Sequence, residues 1–442
     1  MPPPPPAPIP VPGPGDLETP PSSSVPLPAA PSAPSASPAP PTPSATQPQV
    51  SQVQEEAAAE LTYVGTGTPP PGVASLVPEE GDHTVLARAA RGATAMANQV
   101  AGHAGVLVDD SGSLVIKPAL PREIAFYQLV QCSPRTAPIS GLKPFLPKFY
   151  GTLALTGHVD DSEFEPVPVA NALPESIVLE NLTYRFTHPS VLDAKLGTSL
   201  HAPDASEEKK ARMMKKAAET TTGQAGVRLT GASTWHAPTQ SFIKTPRGFG
   251  YNAKLDDLPE GVKRFFPLPS DVLPFLSDDG DTGPEYKDHA LPPSLASRLL
   301  AELDVELGRL EDVLSQIELR AVGASVLVVY EGDADRLAAA FDRFDRQRVT
   351  NAAKSLNPEP EDSDEEEEES ESDSDDDEDD DGAAADARRA SKCPPLVVRL
   401  IDFAHTWLEE GEGPDEGVLL GLRTLRGLVQ GRRAAVDAYV AN

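Results

Sequence analysis

Three charged residues in two short segments have the types and spacing that phosphate chemistry requires. Asp193 and Lys195 lie two residues apart in the segment PSVLDAKLG, so an extended chain would place both side chains on one face. Asp402 follows the mostly apolar run 397–401, where a buried strand would present its carboxylate to a metal ion. Transfer of a phosphoryl group to a hydroxyl needs such a metal and a cation at the phosphates. Taken singly, the first pair could be an exposed ion pair on a strand edge, and Asp402 a carboxylate that caps a turn.

A second lysine, Lys117, is placed to reach the phosphates of a nucleotide. The turn sequence Asp-Asp-Ser-Gly at 109–112 predicts a hairpin, and Lys117 stands at the end of its second strand. Pro121 begins a predicted helix whose first turn carries Glu123, and this carboxylate can hold Lys117 by an ion pair. The alternative is a surface lysine near an unrelated glutamate at a helix start.

The segment 206–219 predicts a helix with a basic face. Ser206 is a suitable N-cap, and acidic residues follow it in the first turn. Lys209, Arg212 and Lys216 are spaced three and four apart and therefore share one face. Such a face could bind a ligand with several separated phosphates, because charge-assisted hydrogen bonds to phosphate are strong. The alternative is a solvated face, which is the usual meaning of a charge run.

The remaining hydrophobic patterns predict the elements around these residues. Further strands are predicted at 148–155, 176–182, 325–330 and 396–403, and further helices at 294–318, 333–349 and 416–440. A glycine-punctuated hairpin, a strand ending in lysine, a helix carrying glutamate and then more strands follow the order of a kinase-type small lobe.

The composition limits what the other parts of the chain can do. Of the 49 prolines, 20 fall in residues 1–50, which lack the apolar residues for a core, so we expect a disordered tail over 1–60. Residues 359–381 hold 18 Asp and Glu and no Lys or Arg, and we expect a disordered acidic insertion over 351–392. The net charge of −31 disfavours direct nucleic-acid binding. We expect no membrane span, no secretory signal and, with two cysteines, no disulfide framework.

Four segments, in order along the chain, resemble motifs of the inositol polyphosphate kinase family. They are 98–103 (NQVAGH, similar to the QVAGH loop), 189–197 (the PxxxDxKxG signature), 324–327 (ASVL, similar to the SSLL segment) and 401–406 (IDFAHT). The resemblance covers roughly residues 95–440 apart from the acidic insertion, and four ordered motifs together are specific. One departure is visible: Ala324 stands where the family has serine, so only Ser325 of this segment can supply a hydroxyl.

The resemblance implies an α+β fold of two kinase-like lobes, a small antiparallel β lobe with one helix and a larger α/β lobe. It also implies ATP and Mg²⁺ as cofactors. The predicted domains are the proline-rich tail 1–60, an ATP-binding N-lobe 61–182, and a C-lobe 183–442 that contains the substrate-binding helix 206–219 and the insertion 351–392.

The resemblance also implies a role for each candidate residue. Lys195 and Asp402 are implied to be catalytic, with Asp402 as the metal ligand and Lys195 at the transferring phosphate and the acceptor hydroxyl. The implied nucleotide-binding residues are Lys117 at the phosphates, Glu180 and Leu182 at the adenine through their main chain, and Asp193 at the ribose. The implied acceptor-binding residues are Lys195, Lys209, Arg212, Lys216 and His405. For Glu180 and Leu182 the alternative is an ordinary buried strand with a polar end, and for His405 a hydrogen-bonded structural histidine.

Within the family, the compact substrate segment and moderate length resemble the fungal multikinases more than the longer inositol hexakisphosphate kinases. The resemblance therefore implies transfer of the ATP γ-phosphate to hydroxyls of inositol phosphates such as inositol trisphosphate and tetrakisphosphate. The alternatives are an inositol hexakisphosphate kinase, or a mainly non-catalytic nuclear co-regulator of transcription. We expect a monomer in the nucleus and cytoplasm, with inositol polyphosphates as substrates and transcription factors as partners of the acidic run.

Overall fold

The structure is a computed structural model, and it describes the chain in several ranges. These are residues 85–86, 88–89, 93–96, 105–153, 175–277, 283–289, 291–356 and 391–441. The predicted tail 1–60, the loop 98–103 and most of the predicted insertion lie outside them.

The described residues form two main antiparallel sheets, one small two-stranded antiparallel sheet and a set of helices. The strands are β1 Thr94–Ala95, β2 Leu107–Val108, β3 Leu114–Pro118, β4 Phe149–Leu153, β5 Ser176–Glu180, β6 Pro189–Leu196, β7 Val227–His236, β8 Ser241–Thr245, β9 Leu319–Ala321, β10 Ser325–Glu331, β11 Leu396–Ile401 and β12 Thr406–Leu408. The α-helices are α1 Pro121–Cys132, α2 Glu207–Glu219, α3 Thr222–Ala225, α4 Arg247–Asn252, α5 Leu258–Phe265, α6 Pro293–Leu314, α7 Ala334–Leu356 and α8 Glu416–Val440, with 3₁₀ turns at Pro138–Phe145, Ala237–Thr239 and Leu255–Asp257.

The first sheet, in the order β1-β2-β3-β5-β4, belongs to the small lobe and carries Lys117. The predicted hairpin turn joins β2 to β3, and the buried Asp109 carboxylate closes it by accepting a hydrogen bond from the Leu114 amide at 2.8 Å. Lys117 pairs with Ile177 of β5 in the middle of the sheet. One face of the sheet buries a separate small apolar cluster around Ile116 and Val178.

The second sheet, in the order β11-β10-β6-β7-β8, is the floor of the larger lobe. Neighbouring strands all pair antiparallel, and β6 lies between β10 and β7. Helices α6 and α8 pack against each other, with ion pairs such as Arg426–Asp304 at 2.6 Å, and contribute to the largest apolar core. The two-lobed α+β prediction is therefore confirmed.

Helix α1 connects the small lobe to the core of the larger one. Phe126 stacks on Phe403 with 4.4 Å between ring centroids, and Tyr127 contacts both Phe403 and Phe149 edge-on or stacked. Since Phe403 follows Asp402 directly, this aromatic packing fixes the backbone that presents the predicted metal ligand.

The structure corrects one predicted boundary and adds two strands that were not predicted. Helix α7 continues to Leu356, so the first residues of the predicted insertion 351–392 are helical; alanine, lysine and leucine favour helix there, and Pro358 stands just beyond. The pattern analysis also missed β7 and β8, the two strands that complete the second sheet. None of the helices in the described ranges has the length and apolar character needed to cross a bilayer.

Candidate active site

Asp193 occupies the centre of the second sheet. It faces Leu327 of β10 on one side and Gly231 of β7 on the other, and only 4% of its surface is exposed. The Thr230 hydroxyl donates to its carboxylate at 3.0 Å, and Ser325 also hydrogen-bonds it. Burial, reinforced by the nearby Asp402 carboxylate, raises the pKa of Asp193 despite these hydrogen bonds. Asp193 and Asp402 therefore share one region of the site.

Charged groups of both signs lie close to Lys195. Its ammonium donates a hydrogen bond to the Gly323 carbonyl, in the turn where Gly323 takes a positive φ of 83°. Burial lowers the pKa of Lys195; Asp402 and Asp193 oppose this, while Arg228 and Lys216 add to it. The structure thus brings Lys195 close to Asp402, its predicted catalytic partner, to Asp193, the predicted ribose contact, and to cations from β7 and α2.

Lys117, Glu123 and Asp402 form a direct ion-pair cluster between the lobes. The Lys117 ammonium lies 2.9 Å from a Glu123 oxygen and 2.7 Å from an Asp402 oxygen. Burial alone would lower the pKa of Lys117, but the two carboxylates outweigh it and the pKa is raised. The buried Glu123 also accepts a hydrogen bond from the Phe403 amide at 3.2 Å, so one glutamate orients the lysine and the backbone beside Asp402.

Asp402 adopts a positive φ of 68°, which few non-glycine residues do. Asp and Asn tolerate this left-handed region better than other side chains because their short polar groups bond locally. With this conformation the chain leaves the sheet directly after β11, which ends at Ile401. The Asp402 carboxylate contacts the Lys117 ammonium. Strain of this kind is characteristic of functional positions.

The connection between the lobes is tied to the hairpin of the small lobe. Glu180 ends β5 and Leu182 lies in the turn that follows. Between them, the Asn181 side chain donates to the Gly112 carbonyl at 2.7 Å, and its main-chain amide donates to the Ser113 carbonyl at 2.8 Å. Contact of Glu180 and Leu182 with adenine stays a prediction from the resemblance.

The predicted basic helix forms, but its three cations differ in their surroundings. Ser206 caps α2 through the Lys209 amide, as its position predicts. Lys216 reaches the hydroxyl of Tyr251 at 3.0 Å and is close enough to Lys195 to lower its pKa. Lys209 is half-buried, whereas Arg212 is exposed to solvent.

His405 lies where three segments meet. Burial lowers its pKa, and the cations Lys209 and Arg122 lower it further. Arg122, at the start of α1, pairs with Asp204 at 3.1 Å and lies over the Trp407 ring. His405 is therefore a neutral group at the edge of the cationic region.

The matching family profile is described as inositol polyphosphate kinase and spans residues 176–430, more than half of the chain. The chain belongs to the inositol polyphosphate kinase family. The match includes the segments that carry Asp193, Lys195 and Asp402, so the predicted resemblance and the prediction of an enzyme are confirmed.

Individual relatives of this kinase come from fungi and animals. It is 28% identical to the inositol polyphosphate multikinase of Saccharomyces cerevisiae over 74% of this chain and 95% of that one. It is 32% identical to the multikinase of Schizosaccharomyces pombe, over 38% of this chain and 61% of that one. Mouse inositol hexakisphosphate kinase 3 is 29% identical over 58% and 50% of the two chains. A solved S. cerevisiae inositol phosphate multikinase, in complex with ADP and Mn²⁺, aligns with a TM-score of 0.45 at 23% identity, covering 72% of this chain and 99% of that one.

The sequence analysis missed two residues of this kinase's cationic region, Arg228 and Tyr251. Arg228 on β7 pairs across the sheet with Lys195 and is only 3% exposed. Its guanidinium carbon lies 4.4 Å from the centre of the Tyr251 ring. Recognition of β7 as a strand next to the Asp193–Lys195 segment would have singled out Arg228, since directly opposed residues of paired strands are neighbours.

Proposed function

We propose that this kinase is an inositol polyphosphate multikinase, which transfers the ATP γ-phosphate to hydroxyls of inositol phosphates such as inositol trisphosphate and tetrakisphosphate. One observation carries the proposal: Lys195 is the cross-strand neighbour of Arg228 on β7, and its pKa is influenced both by the carboxylates Asp402 and Asp193 and by the cations Arg228 and Lys216. A donor phosphate beside the carboxylates and a polyanionic acceptor beside the cations would meet at this lysine.

The chemistry of the residues around Asp402 fits a magnesium ion bound together with ATP. Mg²⁺ prefers one or two carboxylates and takes its other ligands from phosphates and water. Asp402 offers a partly exposed carboxylate, and its charge helps to raise the pKa of the nearby buried Asp193. When bound, magnesium neutralises negative charge on the phosphates as they react. Asp402 would hold the ion, and its partner Lys117 would bind phosphate oxygens.

The protein's own residues account for the other requirements of the transfer. Glu123 fixes Lys117 so that its charge is already oriented before the nucleotide binds. Lys195 is anchored by the Gly323 carbonyl, which leaves its remaining N–H groups for the transferring phosphate and the acceptor oxygen. Because most of the catalytic effect in phosphoryl transfer is positioning and charge stabilisation, these fixed cations are the main contribution of the chain.

The acceptor side favours a ligand with several phosphates. Lys209, Lys216 and Arg228 approach the region from two different elements, α2 and β7. Cations placed apart on a rigid frame match phosphates placed apart on a ring better than they match a single phosphate. Localisation in the nucleus and cytoplasm, and transcription factors as partners of the acidic run, are further proposals supported by composition alone.

The proposal is tested by incubating the purified kinase with radiolabelled ATP, Mg²⁺ and a panel of inositol phosphates, followed by chromatographic separation. We expect label in products of inositol trisphosphate and tetrakisphosphate, and none with Asp402→Asn. Label that enters only inositol hexakisphosphate would replace the proposal by an inositol hexakisphosphate kinase. Absence of label in every acceptor would favour the non-catalytic alternative.

A further inference from the structure

Tyr251 lies between two cations of the proposed acceptor site. Its hydroxyl is 3.0 Å from the Lys216 ammonium, which also lies 4.6 Å from the ring centre. Arg228 stacks over the same ring at 4.4 Å. Hydrogen bonds from Lys216, together with the charge and a hydrogen bond of Arg228, lower the pKa of Tyr251. One side chain thus contacts both cations, although Tyr251 itself remains 40% exposed.

The position of Tyr251 is set by its neighbour Gly250. A Cβ atom at Gly250 would lie 1.9 Å from the Leu229 carbonyl oxygen, so only glycine allows α4 to press this closely on β7. Leu229 follows Arg228 in β7, and Tyr251 follows Gly250 in α4. The close contact therefore fixes the distance between the Tyr251 ring and the Arg228 guanidinium.

Tyr251 holds the cations without neutralising them. Within the ranges that the structure describes, Lys216 and Arg228 contact this aromatic ring rather than a carboxylate. The Nε and Nη1 atoms of Arg228 are buried and find no hydrogen-bond partner among the described residues. A buried guanidinium with unused donors is costly unless an anion or water completes it. An aromatic face attracts a cation yet leaves its full charge for a ligand.

We propose that Tyr251 is a positioning residue for the acceptor, which sets Lys216 and Arg228 at a fixed separation so that they bind phosphates of the inositol ring. The inference rests on the proposed function. The ring contributes by holding both cations in place, and the hydroxyl contributes by anchoring the flexible Lys216 side chain. Without this anchor, ordering Lys216 would cost side-chain entropy each time an acceptor binds.

Graded substitutions at Tyr251 separate these two contributions. Tyr251→Phe keeps the ring and removes the hydroxyl, and we expect the KM for inositol trisphosphate to rise about fivefold. Tyr251→Leu removes both, and we expect a rise of roughly twentyfold. The KM for ATP and the melting temperature should change little in Tyr251→Phe. Tyr439→Phe, at a tyrosine of α8 that is 42% exposed, is the matched control and should match the wild type.

A double-mutant cycle tests whether the Tyr251 hydroxyl acts through Lys216. Tyr251→Phe in a Lys216→Gln background should have almost no further effect, because the group that the hydroxyl anchors is already gone. Additive effects, or an unchanged acceptor KM in Tyr251→Phe, would overturn the proposal. An equal rise in the KM for ATP would also overturn it, since that would indicate a general disturbance of the fold.

Calorimetric titration keeps this test independent of the proposed function. Inositol trisphosphate should bind the wild-type chain about five times more tightly than Tyr251→Phe, even if turnover is absent, whereas ATP should bind both equally. A wild-type chain that binds but does not phosphorylate inositol phosphates would contradict the proposed function alone. A wild-type chain whose affinity for inositol trisphosphate equals that of Tyr251→Phe would contradict the role of Tyr251 alone.

Discussion

The two halves of the site use charge in opposite ways. On the proposed nucleotide side, Lys117 is paired with Glu123 and Asp402 at hydrogen-bonding distance, so charges of both signs compensate each other within the protein. On the acceptor side, Lys216 and Arg228 are held by the uncharged ring of Tyr251. Charges of both groups influence the pKa of Lys195.

The two arrangements of charge suit different tasks. A compensated cluster is rigid and pre-oriented, and removal of one partner leaves the other partly buried and unpaired. An uncompensated cluster is costly in the free protein but gives its full charge to an anion. Substitutions on the nucleotide side should therefore lower kcat, whereas substitutions on the acceptor side should raise the KM for the acceptor.

The largest effect is expected for Asp402→Asn, which removes the carboxylate and keeps a side chain that tolerates the positive φ. Loss of the proposed metal ligand should reduce kcat by about a thousandfold or more. Turnover of the purified variant is compared with that of Asp342→Asn, a change of an exposed carboxylate on α7 that should leave kcat unaltered. Wild-type turnover in folded Asp402→Asn would show that the compensated cluster is purely structural.

Arg228→Gln should give the next largest effect, and the effect should appear in the KM for the acceptor. Loss of a buried guanidinium with unused donors should raise the acceptor KM roughly thirtyfold, with little change in the KM for ATP. Arg228→Lys should recover only part of the loss, because a lysine cannot reproduce the planar fork. Steady-state kinetics with each substrate varied in turn measure both constants. A selective fall in kcat would place Arg228 on the nucleotide side of the comparison.

The double variant Lys209→Ala with Lys216→Ala should lower kcat/KM for the acceptor about tenfold or more. Lys215→Ala is the control on the same helix, since Lys215 is exposed and pairs only with Glu219 at 3.7 Å in the described structure. Exposed ion pairs contribute little, so this control should behave like the wild type. Equal kinetics in the double variant and in the control would mean that the basic face of α2 is merely solvated.

The smallest effect concerns the pKa of His405. Burial, with Lys209 and Arg122, holds this pKa below its ordinary value. Lys209→Gln removes one of the cations, so the pKa should rise toward that value, which NMR titration of the ring protons can follow. Because the pKa of His405 is lower in the folded state, the unfolded chain takes up a proton there first as the pH falls through 6.5. In the wild type, His405 therefore lowers the free energy of unfolding as the pH falls through this range. An unchanged His405 pKa in Lys209→Gln would show that Lys209 does not lie close to His405.

Local features of the site could be predicted from sequence because they depend on neighbours in the chain. The Ser206 cap and the periodicity of α2 are short-range signals, and the alternation around Asp193 and Lys195 is another. Strand β7 escaped because the apolar–polar alternation of residues 227–230 is short, and the small and polar residues 231–234 that follow do not form an apolar run although they are buried. With β7 unpredicted, Arg228 had no partner strand, and its relation to Lys195 was invisible.

Contacts between distant segments set the other limit. Asp402 binds Lys117 across 285 residues of sequence, and Lys216 meets Tyr251 across 35. The motif order predicted that Asp402 belongs to the site, but not that its carboxylate pairs directly with Lys117. The role of Tyr251 depends on the tight contact at Gly250, which arises from packing of α4 on β7 and has no sequence period.

The separation of Lys117 and Asp402 also has a consequence for the order of folding. Lys117 and Glu123 are six residues apart, so their pairing can form as soon as β3 and α1 do, whereas the pairing with Asp402 must wait until both lobes have assembled. Contacts of large sequence separation form slowly because loop-closure entropy is lost before they contribute stability. During refolding, catalytic activity should therefore return later than sheet content. A chain whose lobes have not yet assembled should lack the Lys117–Asp402 pairing and should be inactive.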